Sequence, residues 1–212
     1  MLYCVRGEIF FCGGKYMPRI VFREEMESII YKLPNYLDKY LFLSIYEGIK
    51  GKEYCEVVQA NINNVSGNEM KLSTGRIVQI SDLLKDIMNK CCEEEKYHHI
   101  KRNEYTWYLN ENNGDIYRRF EIGQGATEQS VRDAFRVYKL IERNISYFHI
   151  DMTISSLYDS GKLNYIITKA KEHEATPEEY LYISKYYNDE VKKQYGDIFN
   201  KKAYLEKYKE YL

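Results

Sequence analysis

The hydrophobic pattern of this chain changes character once, at Gly123-Gln124-Gly125. Before that point, residues 2–11, 40–49, 54–65, 70–80, 105–109 and 116–122 are runs rich in aromatic and β-branched side chains. Turn-forming segments such as Gly48-Ile-Lys-Gly51 and Ser66-Gly67-Asn68 separate several of them. Such runs fit a pleated, half-buried surface and predict strands, with residues 40–80 forming a meander. Asn-Gly at 113–114, between two aromatic runs, predicts a hairpin. Two short helices interrupt this half. One covers residues 23–33, where Met26, Ile29, Ile30 and Leu33 share a face ahead of Pro34, and one is opened by Ser81 as cap.

After Gly125 the spacing becomes helical. Thr127 can cap a helix whose Val131, Ala134, Phe135, Tyr138, Ile141 and Ile145 make one apolar stripe. Further helices are expected over 162–173, 177–195 and 197–212. The second has Thr176 as cap, Pro177 at the first position, Glu179 completing a capping box and Gly196 as its stop. The expected class is therefore α+β: an antiparallel β-rich half over residues 1–122, then a helical half over 123–212, packing as one or two units.

Charge and cysteines narrow the function classes. Lys+Arg 31 against Asp+Glu 32 gives a net charge of -1, so no global field draws the chain to nucleic acid or anionic lipid. Any such contact must come from a local patch. Arg6 and Glu8 interrupt the only place for a secretory leader, and no apolar run reaches membrane-spanning length, so no membrane partner is expected. The five cysteines Cys4, Cys12, Cys55, Cys91 and Cys92 are odd in number and include an adjacent pair, which suits reduced thiols and a cytoplasmic location.

The sharpest local patch is Arg132, Arg136, Lys139 and Arg143, which share one side of the helix that begins near Thr127. Such a ridge neutralises phosphates or meets an acidic protein face, with guanidiniums gripping oxygens bidentately. Just before it, Gly123, Gly125 and Thr127 form a strand-to-helix loop whose free N–H groups offer a weak anion site. It lacks the third glycine of a dinucleotide fingerprint, where Glu128 stands. Arg118 and Arg119 project to opposite faces of their strand, so one of them at most joins such a site.

Cys91, Cys92, His98 and His99 invite a zinc reading, but ligands seven residues apart on a helix are about 10 Å apart along its axis. No metal and no cofactor are expected. His98 and His99 followed by Lys101 and Arg102 hold the residue types of a metal-free nuclease, imidazole for proton transfer and cations for phosphorane charge. No G-x-S-x-G, H-E-x-x-H or Walker-type loop occurs, which weighs against an enzyme.

Trp107-Tyr108-Leu109, followed across a turn by Tyr117-Arg118-Arg119-Phe120-Glu-Ile122, resembles the end of a WYL domain over about 16 residues. The resemblance implies a small Sm-like β-barrel that senses nucleic acid or nucleotides, with Arg118 or Arg119 in contact with the ligand.

Taken together, the sequence leans to a non-catalytic protein that binds nucleic acid or a nucleoprotein complex through its basic helix face. Its lysine-, asparagine-, isoleucine- and tyrosine-rich usage suits an AT-rich phage or mobile element. The alternative is a small metal-independent nuclease or nucleotide-processing enzyme centred on His98 and His99.

Overall fold

Residues 36–46 set the architecture. In the computed structural model they form helix α2 (Tyr36–Tyr46), of which Leu37, Asp38 and every residue from Tyr40 to Tyr46 are buried. The structure describes residues 3–5, 8–10, 19–100, 106–110, 113–119 and 129–212, with side chains described at 19–100, 106–110, 113–119 and from residue 133 onward. A helix apolar on all sides belongs in a core, and α2 is packed by α1 (Arg23–Lys32), α3 (Cys55–Val58), α4 (Asp82–Glu93), α5 (Gln129–Tyr147) and α6 (Ile154–Glu172). Its first N–H groups have no local side-chain cap. Glu94 supplies one from a distance, accepting from Tyr36 N–H at 2.9 Å and Leu37 N–H at 3.1 Å. Where α6 crosses α2, a β-carbon on Gly161 would stand 1.7 Å from the Tyr46 carbonyl oxygen, so only glycine permits the crossing.

The expected N-terminal β-rich half is therefore overturned: helices dominate both halves of the chain. The run at 40–49 is mostly α2, and that at 54–65 is α3 with flanking 3-10 turns. Of the three runs of the expected meander, 70–80 is the one whose regular elements are strands, and the runs at 2–11 and 105–109 also contain short ones. Strand pairing among the described residues is confined to three small antiparallel sheets. β1 (Tyr3–Val5) pairs with β2 (Glu8–Phe10), and β3 (Val65–Ser66), β4 (Glu69–Lys71) and β5 (Ile77–Gln79) form a three-stranded sheet. β6 (Lys96–His98) pairs with β7 (Thr106–Tyr108). Of the hairpin expected across Asn113-Gly114, the described residues show one main-chain bond, Asn110 N–H to Arg119 O at 2.8 Å, and residues 111–112 and 120–122 lie outside the described residues. Thr106–Tyr108 pairs backwards onto β6, while Asp115 makes an isolated bridge to Asn61. With Trp107 and Tyr108 in a two-stranded ribbon and residues 116–119 outside any strand, the barrel implied by the WYL resemblance is absent among the described residues.

The helical half follows its local signals more closely. Ser81 caps α4 through Leu84 N–H at 3.1 Å, and Thr176 and Glu179 complete the capping box of α7 (Pro177–Tyr182). The single helix expected over 177–195 breaks after Tyr182. It continues as α8 (Ser184–Tyr186), a π-helical turn (Tyr187–Val191) and α9 (Lys192–Tyr195), ending at Gly196 with φ of 76°. The last helix, α10 (Lys201–Lys207), starts at the Asn200 cap rather than at residue 197.

Helix α5 has a different phase from the expected stripe. Asp133, Val137, Leu140, Ile141 and Asn144 are buried, whereas Phe135 is 63% and Tyr138 41% exposed. A polar pair made by Asp133, described below, fixes this rotation.

One buried ion pair ties the β4–β5 hairpin to the helices. Glu56, 2% exposed, accepts from Arg76 Nε at 2.9 Å and Arg76 Nη2 at 2.6 Å, and from the Thr74 hydroxyl. Burial alone would push the Glu56 carboxyl up, but these hydrogen bonds and the Arg76 charge hold it below the usual carboxylate range. Because the folded-state pKa lies below that of the unfolded chain, the pair's stabilisation is complete above the ordinary glutamate range and is lost as the pH falls through the folded value. We predict that Glu56→Gln costs about 3 kcal/mol near neutral pH. Urea denaturation should show that difference shrinking as the medium is acidified below the ordinary glutamate range and wild-type Glu56 itself takes up a proton.

Candidate functional site

A cleft of about 490 Å³ opens between the segment that leads into α3, the stretch 115–119 and the first half of α5. Its lining includes Lys52, Glu53, Cys55, Asp115, Tyr117, Arg119 and Asp133. The segment that carries Lys52 is strained: Glu53 (φ 52°) and Tyr54 (φ 61°) are consecutive left-handed residues, a conformation that costs about 1 kcal/mol or more for each non-glycine. Gly51 (φ 66°) precedes them, and a β-carbon there would lie 2.6 Å from Cys55 Sγ. Strain of this kind persists only where surrounding packing over-determines it, here the seating of residues 52–58 against α5.

Across the cleft, Arg119 is gripped by Asp133. Arg119 Nε donates to Asp133 Oδ1 at 3.2 Å and Nη2 to Oδ2 at 2.7 Å, the bidentate geometry that fixes a guanidinium plane. The Asp133 side chain is 3% exposed and that of Arg119 43%, so a buried anion holds a cation at the surface. Asp133 raises the Arg119 pKa further, so the guanidinium is permanently charged. Its Nη1 takes no part in this pair. Beneath lies Tyr117, whose buried hydroxyl is pushed well above the ordinary phenol range by burial, against the pull of Arg136 and with a further push from Asp133. At neutral pH this phenol stays protonated. The cleft thus combines a preorganised guanidinium and an ammonium, a pair able to meet an oxyanion, over a phenol whose hydroxyl is sealed from solvent.

The residues singled out in the sequence divide into different environments. Arg118 is buried and spent on main-chain carbonyls: Nε donates to Asn110 O at 2.7 Å, Nη1 to Cys92 O and Glu94 O, and Nη2 to Leu109 O at 3.3 Å. It is a staple between the end of α4 and β7, which removes it from the candidate ligand contacts. Arg136 is half-buried beside Tyr117. Arg143 is half-buried and donates to the Tyr97 hydroxyl, which in turn donates to Asp38 at 2.8 Å. Burial pushes the Asp38 carboxyl up, against hydrogen bonds from Asn35 and Tyr97. Lys139 is exposed, paired to Glu142 at 2.8 Å and lying over the Phe135 and Tyr138 rings. Of the three cations whose side chains are described, Lys139 is exposed and Arg136 and Arg143 are half-buried. Arg132 lies on the first turn of α5, where only the backbone is described, and Gly123, Gly125 and Thr127 lie outside the described residues, as do Lys101 and Arg102.

His98 is exposed on β6, its Nδ1 3.5 Å from Thr106 Oγ1, and His99 packs edge-on against Trp107 at 5.1 Å. Cys91 is buried in the core, its thiol donating to Ile116 O at 3.1 Å and pushed well above the ordinary thiol range by burial. No group of three or more His, Cys, Asp or Glu side chains among the described residues is placed to hold a metal ion. No helix among them is long and apolar enough to cross a membrane.

Lys52, Cys55, Tyr117 and Asp133 carry no sequence motif. The one local signal was the pair Gly48 and Gly51 ahead of Lys52, which looks the same whether it marks a hairpin turn or a strained helix entry.

Comparison with protein-family models assigns this architecture: the chain belongs to the family described as MrpR, C-terminal catalytic domain, whose model matches residues 20–209. The match spans α1 to α10, and thus the whole cleft. No curated protein matches the chain.

The buried role of Arg118 is directly testable. Arg118→Ala leaves several carbonyls without donors, and we predict a loss of about 3 kcal/mol in urea denaturation. Exposed Lys139→Ala should change stability by no more than about 0.5 kcal/mol.

Proposed function

We propose that this chain is an enzyme of the nuclease or nucleotide-processing type that acts on a phosphate ester at the cleft between residues 52–58 and α5. The observation that carries the reading is the Arg119–Asp133 pair. It holds a guanidinium at the mouth of the cleft with a free edge, above a protonated phenol and in the same lining as Lys52. Membership in a family named for a catalytic domain supports an enzyme over a passive binder.

In this scheme Arg119 Nη1 and Lys52 Nζ meet non-bridging phosphate oxygens, and the charge that develops on them is stabilised without reorganisation. The leaving oxygen takes its proton from water at the open mouth of the cleft. Glu53 and Asp115, in the same lining, offer carboxylates to accept a proton from the attacking hydroxyl or water. Lys139, exposed on α5, adds cationic contact for a nucleic acid substrate.

The test is turnover of a fluorescein-labelled oligonucleotide and of a nitrophenyl phosphodiester by the full chain. Lys52→Ala and Arg119→Lys should each lower kcat by about 10²-fold or more while thermal denaturation shows a retained fold. His98→Ala should leave turnover within about twofold, since an exposed side chain away from the cleft touches no reacting atom. Loss of turnover in the His98 variant, with the cleft variants active, would move the chemistry to the β6–β7 ribbon. Absence of turnover on every phosphate ester would reject the reading.

A further inference from the structure

β5 is the outer strand of its sheet, in the order β3-β4-β5. Leu72 N–H donates to Arg76 O at 2.8 Å and Ile80 N–H to Asn68 O at 2.8 Å, with Met70 opposite Val78 between them. Residues 76, 78 and 80 therefore turn their main-chain groups toward β4. By the alternation of an antiparallel ladder, Ile77 and Gln79 turn theirs toward the free edge.

At Gln79 that edge is already taken by a side chain. Gln79 N–H donates to Gln194 Oε1 at 2.8 Å, and Gln194 Nε2 donates to Gln79 O at 2.8 Å. One carboxamide thus supplies the donor and the acceptor that the peptide of a neighbouring strand would supply. The main chain behind it is fixed, because Arg76 Nη1 donates to Lys193 O at 3.0 Å and to Gln194 O at 2.9 Å. Two residues along the same edge, Ile77 presents its own N–H and C=O, the residue being 52% exposed. It opens on a groove of about 960 Å³ whose far wall includes Tyr165, Asn188 and Lys192.

We propose that this groove binds an extended polypeptide segment, which adds to the free edge of β5 by pairing with the main chain of Ile77, beside the place where Gln194 imitates that pairing. The occupant follows from the groups on offer. Edge-strand N–H and C=O recognise another peptide backbone, the mode by which strands add to exposed sheet edges. The charged lining is balanced, with Arg76, Lys169, Lys192 and Lys193 against Glu69, Asp189, Glu190 and Asp197. A nucleic acid track needs a net positive wall, which this groove lacks. The groove shares no lining residue with the cleft, so this surface stands apart from the proposed catalytic site.

The experiment follows amide signals of the isotopically labelled full chain while a capped heptapeptide of alternating threonine and valine is added. Binding should shift the Ile77 amide and slow its exchange with solvent by about fivefold or more, because an exposed N–H gains a partner. Ile77→Pro removes the outward donor without touching the bonds to β4 and should weaken the peptide by about fivefold or more. Ile77→Thr keeps the donor and should bind as the native chain does. An Ile77 amide that neither shifts nor gains protection at millimolar peptide would overturn the proposal, and that measurement needs no variant. Equal binding by the proline variant would also overturn it. So would a single-stranded oligonucleotide that protects the Ile77 amide where the peptide does not.

Discussion

The structure depends on burying α2 from every side. Taking a helix wholly out of water is favourable for its apolar side chains, but each polar group it carries must then find a partner. The partners are the long-range ties of the fold. Glu94 caps the helix start, and Asn35 and Tyr97 satisfy Asp38. The Tyr40 hydroxyl reaches Val57 O at 2.8 Å, the Tyr46 hydroxyl reaches Val21 O at 3.2 Å, and the Tyr195 hydroxyl returns to Tyr46 O at 2.7 Å. Tyrosine, with a large apolar ring and one polar tip, serves both demands at once.

The same logic explains what became of the basic helix face. A guanidinium near a buried carboxylate or phenol is worth more to the protein than one in water, because the buried partner would otherwise be unsatisfied. Arg143 is drawn toward Tyr97 and Asp38, Arg136 toward Tyr117, and Arg119 onto Asp133. These contacts fix the rotation of α5 and leave Phe135 and Tyr138 outside. The cation most useful for chemistry is then Arg119, held by a buried anion while its outer edge faces the cleft.

The cleft and the groove along β5 are separate concavities joined by one ion pair. Glu56 lies in α3, between the cleft residues Cys55 and Val58, and Arg76 forms part of the groove wall. Their hydrogen bonds, with those of Arg76 to Gly48 O, Lys193 O and Gln194 O, set the spacing between α3, the hairpin and α9.

By itself the sequence determined what depends on neighbours within about four residues: the caps at Ser81 and at Thr176 with Glu179, the stop at Gly196, the turn at Gly67 and the existence of α1, α4, α5 and α7. It did not determine α2, because burial on all sides erases the amphipathic period and leaves a run of Tyr, Leu, Phe and Ile that a strand would also accept. It did not determine the phase of α5 either. Asp133 looks like a surface residue until Arg119, fourteen positions away, is folded against it. The cleft was hidden for the same reason, since Lys52, Tyr117 and Asp133 come from three distant segments and no local spacing relates them. Tertiary structure decided these features because a buried charge is tolerable only beside its partner, and which partner that is depends on the packing of the whole chain.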